Sequence, residues 1–336
     1  MLLLIAALCG FLPGADTPDE PEPILYRTLR PPARVLAEST HTYDARHYRL
    51  DLDLPMTDDG YHCREEVSLI SNRPRLDTVP LDFAALLCDS VRRDGNRLAF
   101  DTGAGRLNVI LDTPLAEGDS AVLEVFFRRE PGTPQLGYYF GRPPAIRYAH
   151  AMTVGCPTDN HYWFACWDHP SDKAERGVEL NITLPDTFQA CAVGLLDSIT
   201  DNGNGTRTWH WRHSYPIATY LVSFSASRFA SWDTWFVNTA GEPRRSAGDT
   251  IPIRHWMWPE DSAATRVGYA QLPEVIQYFI RPDIFGAYPF ETFGHVPGYY
   301  GFPWGGMEHQ TLVMLHPSYI GGGRISTIAH ELSHMW

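Results

Sequence analysis

Near the end of this 336-residue chain stand His330, Glu331, Leu332, Ser333 and His334. Two histidines four residues apart lie one above the other on a helix, close enough to share one metal ion. A glutamate beside the first can reach a water on that metal and serve as a base. A shuffled chain of this composition would contain the H-E-x-x-H pattern by accident in about 3 % of cases. At about 100° per residue, Ile325, Ile328, Ala329, Leu332 and Trp336 share one helical face, and His330 and His334 point nearly opposite. The segment therefore predicts a helix with one side to bury and one side to present two imidazoles.

A second group precedes it: Gly305, Gly306, Met307, Glu308 and His309, just before a strand at residues 311–315. Glycines allow close backbone approach. An edge strand beside a metal cleft can hold an extended peptide by backbone hydrogen bonds. A carboxylate at the end of such a groove can pair with a free amino terminus. Together these features describe an exopeptidase.

The elements that must position these residues fall into two textures. Residues 48–229 read as many short strands. Tyr48, Leu50, Leu52 and Leu54 alternate with polar residues, as do Val178, Leu180, Ile182 and Leu184. Residues 121–127 and 219–225 are β-rich, and turn signals such as Asp94-Gly95-Asn96 divide the runs. This predicts an all-β, sandwich-like domain over residues 45–247. From residue 248 to 336 the text is mixed α+β. A strand at 251–258 leads to Asp261-Ser262, which can cap a helix carrying Val267, Leu272, Val275, Ile276 and Phe279 up to Pro282. A strand-like stretch at 292–296, a Gly/Tyr/Pro-rich loop and a glycine hinge at 321–323 precede the final helix.

Composition narrows the function. Lys plus Arg is 27 and Asp plus Glu is 40, a net charge of −13. Nucleic acid is therefore not the expected partner, since phosphate neutralisation needs a basic face. Lys173 is the only lysine, which reads as a coding bias. Residues 2–12 form an apolar run too short to span a bilayer, so no transmembrane helix is expected. With Gly14-Ala15 as a small-residue cleavage site, residues 1–15 read as a signal peptide and 16–44 as a linker. An exported protein, periplasmic or extracellular, is the expectation. No pair of the six cysteines has C-x-x-C spacing, which argues against a cysteine zinc site; disulfides and isolated thiols both remain open.

The two chemical motifs together resemble the zinc aminopeptidases related to aminopeptidase N and leukotriene hydrolase, the gluzincin metallopeptidases. Their pattern is G-x-M-E-N, a spacer, then H-E-x-x-H followed by an aromatic residue, the place Trp336 takes here. Residues 162–174, Tyr-Trp-Phe-Ala-Cys-Trp-Asp-His-Pro-Ser-Asp-Lys-Ala, are similar to the family's F-P-C-x-D-E-P segment, and Tyr288-Pro289-Phe290 matches its Y-P-F. The resemblance implies an N-terminal β domain followed by an incomplete thermolysin-like α+β catalytic domain. It implies one Zn2+ held by His330 and His334, with Glu331 as general base and a peptide with a free N-terminus as substrate. Gly305, Gly306 and Met307 would line the substrate backbone, and Glu308 would hold its α-amino group.

Three residues depart from the family pattern. His309 stands for Asn, His169 for the acidic residue before proline, and Val154 near the place of a Gln that helps hold the amino group. The resemblance also puts a third zinc ligand, a Glu, about twenty residues past His334, beyond Trp336. On this reading the sequence is the N-terminal part of an aminopeptidase, inactive by itself. The alternatives are an H-E-x-x-H endopeptidase and a non-catalytic, peptidase-like secreted binding module.

Overall fold

The strand Tyr43–Asp53 buries Tyr43 and Ala45, then Tyr48, Leu50 and Leu52. A bulge between Ala45 and His47 absorbs the break in the two-residue period, so both halves face the same core. This strand pairs antiparallel with Tyr61–Ser71 and parallel with Val178–Pro185. The computed structural model describes residues 41–238, 248–298, 302, 305–319 and 325–336. The signal-peptide expectation, most of the linker and the 321–323 hinge lie outside them.

Ten strands form the first sheet, in the order Leu195–Asp201, Thr206–His213, Val178–Pro185, Tyr43–Asp53, Tyr61–Ser71, Ser120–Arg129, Leu87–Arg93, Asn96–Gly103, Arg106–Leu115 and Leu76–Asp82. A four-stranded sheet follows the order Gln189–Ala192, Phe224–Ser227, His150–Thr153, Tyr138–Gly141. Both sheets contribute to one core, from Leu50, Val125 and Leu180 to Phe224 and Ala151. The regular structure of residues 43–227 is thus nearly all β, with little helix. One stretch differs from the sequence expectation. Thr219–Leu221 is a single 3-10 turn, and the strand starts only at Phe224. The Thr219 hydroxyl bonds to Trp167 O and Asp168 Oδ1, which turns the chain out of the sheet.

The second large sheet has five strands, ordered Ala230–Val237, Thr250–Met257, Phe293–Pro297, Leu312–Leu315 and Gly306–Met307. Its three central strands are parallel, and the two edges run antiparallel. The sheet therefore begins at Ala230, ahead of the texture change at residue 248. Ala230–Val237 pairs along its whole length with Thr250–Met257 and not with the first sheet.

The single helix expected between residues 262 and 281 is two helices, Ser262–Gly268 and Leu272–Phe279. Pro273 is the reason. Lacking an N–H, it fits the first turn of a new helix but not the middle of a long one. The break also takes Val267 off the apolar face and leaves it 80 % exposed, while Leu272 and Ile276 are buried. A second core joins these two residues to Ile251, Phe293, Val313, Ile328 and Leu332. No disulfide joins Cys63, Cys88, Cys156, Cys166 and Cys191 to one another.

Candidate active site

The helix Ile325–Ser333 is built as its apolar period demands. Ile328 and Leu332 are fully buried against the second sheet. His330 and His334 are exposed, His334 in the turn just after the last helical residue. Glu331 faces inward and is 6 % exposed. One potential ligand atom from each of the three residues lies within 4.8 Å of the others. The two imidazole rings meet edge to face with centroids 5.1 Å apart. Neither ring has a hydrogen-bond partner among the described residues. Two unencumbered imidazoles beside a carboxylate are a donor set suited to zinc. Burial, and after it the charge of Glu308, raises the Glu331 carboxyl to about 7.

The other predicted residues arrive from the neighbouring strand. Gly306–Met307 forms the edge of the second sheet, pairing with Leu315 and Met314. Met307 points into the protein and is buried. Gly306 lies against the helix. A Cβ there would stand 2.5 Å from Glu331 Cγ and nearer still to its Oε1, so no side chain fits while Glu331 keeps its place. A Cβ at Gly305 would meet Tyr319 Oη at 3.3 Å, a contact a small shift can relieve. Thr311, held at φ +71°, fixes the turn between the two strands. Its hydroxyl accepts from Gly194 N at 2.7 Å, and its own N–H points at Met335 Sδ, 3.3 Å away. The β-rich part and the end of the Ile325–Ser333 helix are thereby tied to one residue.

Glu308 and His334 line a common open cleft of about 350 Å³. The opposite wall comes from the β-rich part: Lys173, Pro216, Tyr220 and Leu221. Sequence reasoning missed Tyr220 and Lys173 as site residues. Tyr220 sits in the 3-10 turn after the short Ile217–Ala218 strand. Burial raises its hydroxyl pKa, and Glu308 raises it further. Lys173 lies on the two-residue strand that pairs with Ile217–Ala218. Its uniqueness in composition was the one signal available. Val154, by contrast, is buried at 1 % and offers nothing to the cleft through its side chain. His309 is fully buried, with neither ring nitrogen hydrogen-bonded among the described residues, and burial pushes it down to about 3.

The segment before Lys173 is a brace. Trp163, Phe164, Ala165 and Cys166 are fully buried. Cys166 bridges to Asp82 through the backbone. Asp168 accepts from His161 N and faces His161 Nδ1 at 2.7 Å. Burial alone would lower the His161 pKa, but this bond and the Asp168 charge raise it. His169 is half-buried, and its ring bonds Ser171. The brace sets where Lys173 and the 217–221 wall stand.

The sequence profile of the peptidase M1 N-terminal domain matches residues 44–221. The chain is 29 % identical over 181 residues to leucine aminopeptidase 2 of Vanderwaltozyma polyspora, covering 52 % of this chain and 24 % of that protein. It is 21 % identical over 309 residues to leukotriene A-4 hydrolase of Xenopus laevis, covering 89 % of this chain and 48 % of that one. The fold is similar to a crystal structure of an M1 zinc metallopeptidase from Deinococcus radiodurans, with TM-score 0.72 and 22 % identity over 88 % of this chain and 64 % of that chain. A variant of that metallopeptidase has been crystallised with a Tyr-Ser-Ala substrate. The chain thus spans between about a quarter and half the length of these curated relatives.

Proposed function

Because this chain belongs to the peptidase M1 family, we propose that it carries the metal helix and amino-terminus pocket of a zinc aminopeptidase. One observation supports this reading above the rest. His330, Glu331 and His334 converge within 4.8 Å, and Glu308 lines the same cleft as His334. On this reading residues 230–336 begin a thermolysin-like catalytic unit.

His330 and His334 would hold zinc, supplying two of the three protein ligands a catalytic zinc takes. Bound zinc supplies a Lewis acid that activates water and polarises the scissile carbonyl. Glu331, held inward by the helix and pressed by Gly306, takes a proton from the attacking water. It then delivers that proton to the leaving amine, the general acid–base role open to a carboxylate held in place. Glu308 carries no ion pair or hydrogen bond to a described residue, so its carboxylate is available to a substrate ammonium. The edge strand at Gly306–Met307 offers backbone groups to an extended peptide.

The test uses the full-length product loaded with zinc. Leucine or alanine amides should be cleaved, and N-acetylated peptides of the same sequence should not. Equal cleavage of both would make the enzyme an endopeptidase. No cleavage of either, with metal bound, would leave a peptide-binding module. The apolar run at residues 2–12 supports export, with the mature chain starting near Asp16. N-terminal sequencing that finds Met1 intact on the mature protein would refute it.

A further inference from the structure

Two opposite charges line the cleft and do not meet. Glu308 and Lys173 both face it, yet no ammonium–carboxylate contact within 4.0 Å joins them. Neither side chain has another ion-pair or hydrogen-bond partner among the described residues. Elsewhere Arg64 is shared by Asp51, Glu66 and Glu124, Arg254 grips Asp233, and Arg147 reaches Asp261. Lys173 is also not placed at random. Its strand pairs with Ile217–Ala218, and the buried run from Trp163 to Cys166 anchors the approach to it.

We infer that the cleft selects short peptides bearing a carboxylate, with the amino terminus on Glu308 and the carboxylate on Lys173. This deepens the aminopeptidase reading and rests on it for the role of Glu308. Glu308 and Lys173 line one cleft, so a single short peptide can reach both. Gln310 and Tyr220 on the same walls can donate further hydrogen bonds. The recognised carboxylate is the free C-terminus of a short peptide or an acidic side chain one or two residues past the cleaved bond.

The experiment is calorimetric binding to full-length zinc-loaded protein made inert by Glu331→Gln. The probes are Leu-Gly-Gly, its C-terminal amide, and Leu-Gly-Asp amide. Leu-Gly-Gly should bind about fivefold tighter than its amide, the scale of one partly solvated charge pair. Lys173→Met should erase that difference and leave the amide unchanged, and Lys173→Arg should retain it. High salt should shrink the difference. Tight binding of Leu-Gly-Asp amide would show that an acidic side chain also serves; weak binding would restrict the site to the C-terminus. Equal binding of Leu-Gly-Gly and its amide to protein with Lys173 intact would overturn the inference. So would loss of both on Lys173→Met, a merely structural effect. The readout is binding, so absence of peptidase turnover would sink the catalytic reading alone.

Discussion

Gly306 and Glu331, 25 positions apart in sequence (331 − 306), are in contact across the edge of the second sheet, with room for a hydrogen but not a methyl group between them. The glycine is the wall that sets the carboxylate's position. Gly306→Ala should therefore displace Glu331 and lower kcat by about 10²-fold, the usual cost of an ångström-scale misplacement. Zinc content should be unchanged. Gly305→Ala, whose Cβ would come no nearer than 3.3 Å to its neighbours on Tyr319 and Thr327, should cost much less. Steady-state kinetics on both variants, with metal analysis, decides it; equal effects would show that Gly306 acts as ordinary backbone.

Removing either imidazole should release the metal without unfolding the chain, since both rings are exposed. His330→Ala and His334→Ala should each weaken zinc binding at least about tenfold. The apo proteins should melt within a degree or two of the parent. Metal titration and thermal melts check the two halves separately. Undiminished zinc in either variant would place the ion elsewhere.

Glu331→Gln should keep zinc and substrate affinity while lowering kcat by about 10²- to 10⁴-fold, the range of a general base. A loss confined to KM would make Glu331 a binding group.

Glu308→Gln should raise KM for peptides with a free amino terminus and leave the weak binding of N-acetylated peptides unchanged. Its side chain keeps the shape and loses the charge that pairs with an ammonium. Kinetics on the free-amine peptides and calorimetric binding of the N-acetylated ones provide the check, and equal losses of affinity would remove the exopeptidase argument.

Acid should destabilise the fold through buried neutral histidines. His150 and His213 are both held near 3 by burial. Unfolded, each binds a proton near 6.5, so the unfolded state carries more protons between those values. Stability is thus fully present above about 6.5 and falls as pH drops toward 3, by about 2 kcal/mol per histidine at pH 5. His150→Gln, which can keep the bond to Ser225 Oγ, should flatten the profile. Denaturant melts at pH 7 and pH 5 measure this; an unchanged slope would mean that His150 titrates normally.

Local chemistry was legible from the amino-acid sequence because it depends on local geometry. The H-E-x-x-H spacing and the apolar period of Ile325, Ile328 and Leu332 specify one helix turn after another, whatever surrounds them. The alternation of Tyr48, Leu50 and Leu52 likewise announces a half-buried strand. Pro273 was legible too, as a residue that starts helices rather than continues them, yet the spacing of Val267 with Leu272 obscured it.

Tertiary structure alone decided which distant residues share the cleft. Lys173 and Tyr220 precede Glu308 by 135 and 88 positions (308 − 173 and 308 − 220), and no periodicity relates them. They share it because a buried brace and a two-strand ladder hold one wall, while Thr311 ties the other to Gly194. The same holds for Ala230–Val237, which reads as one more β strand and joins the second sheet only through its pairing with Thr250–Met257. Sequence specifies how a segment prefers to fold and which face it buries. Which segment it buries that face against is settled by the packing of the whole chain.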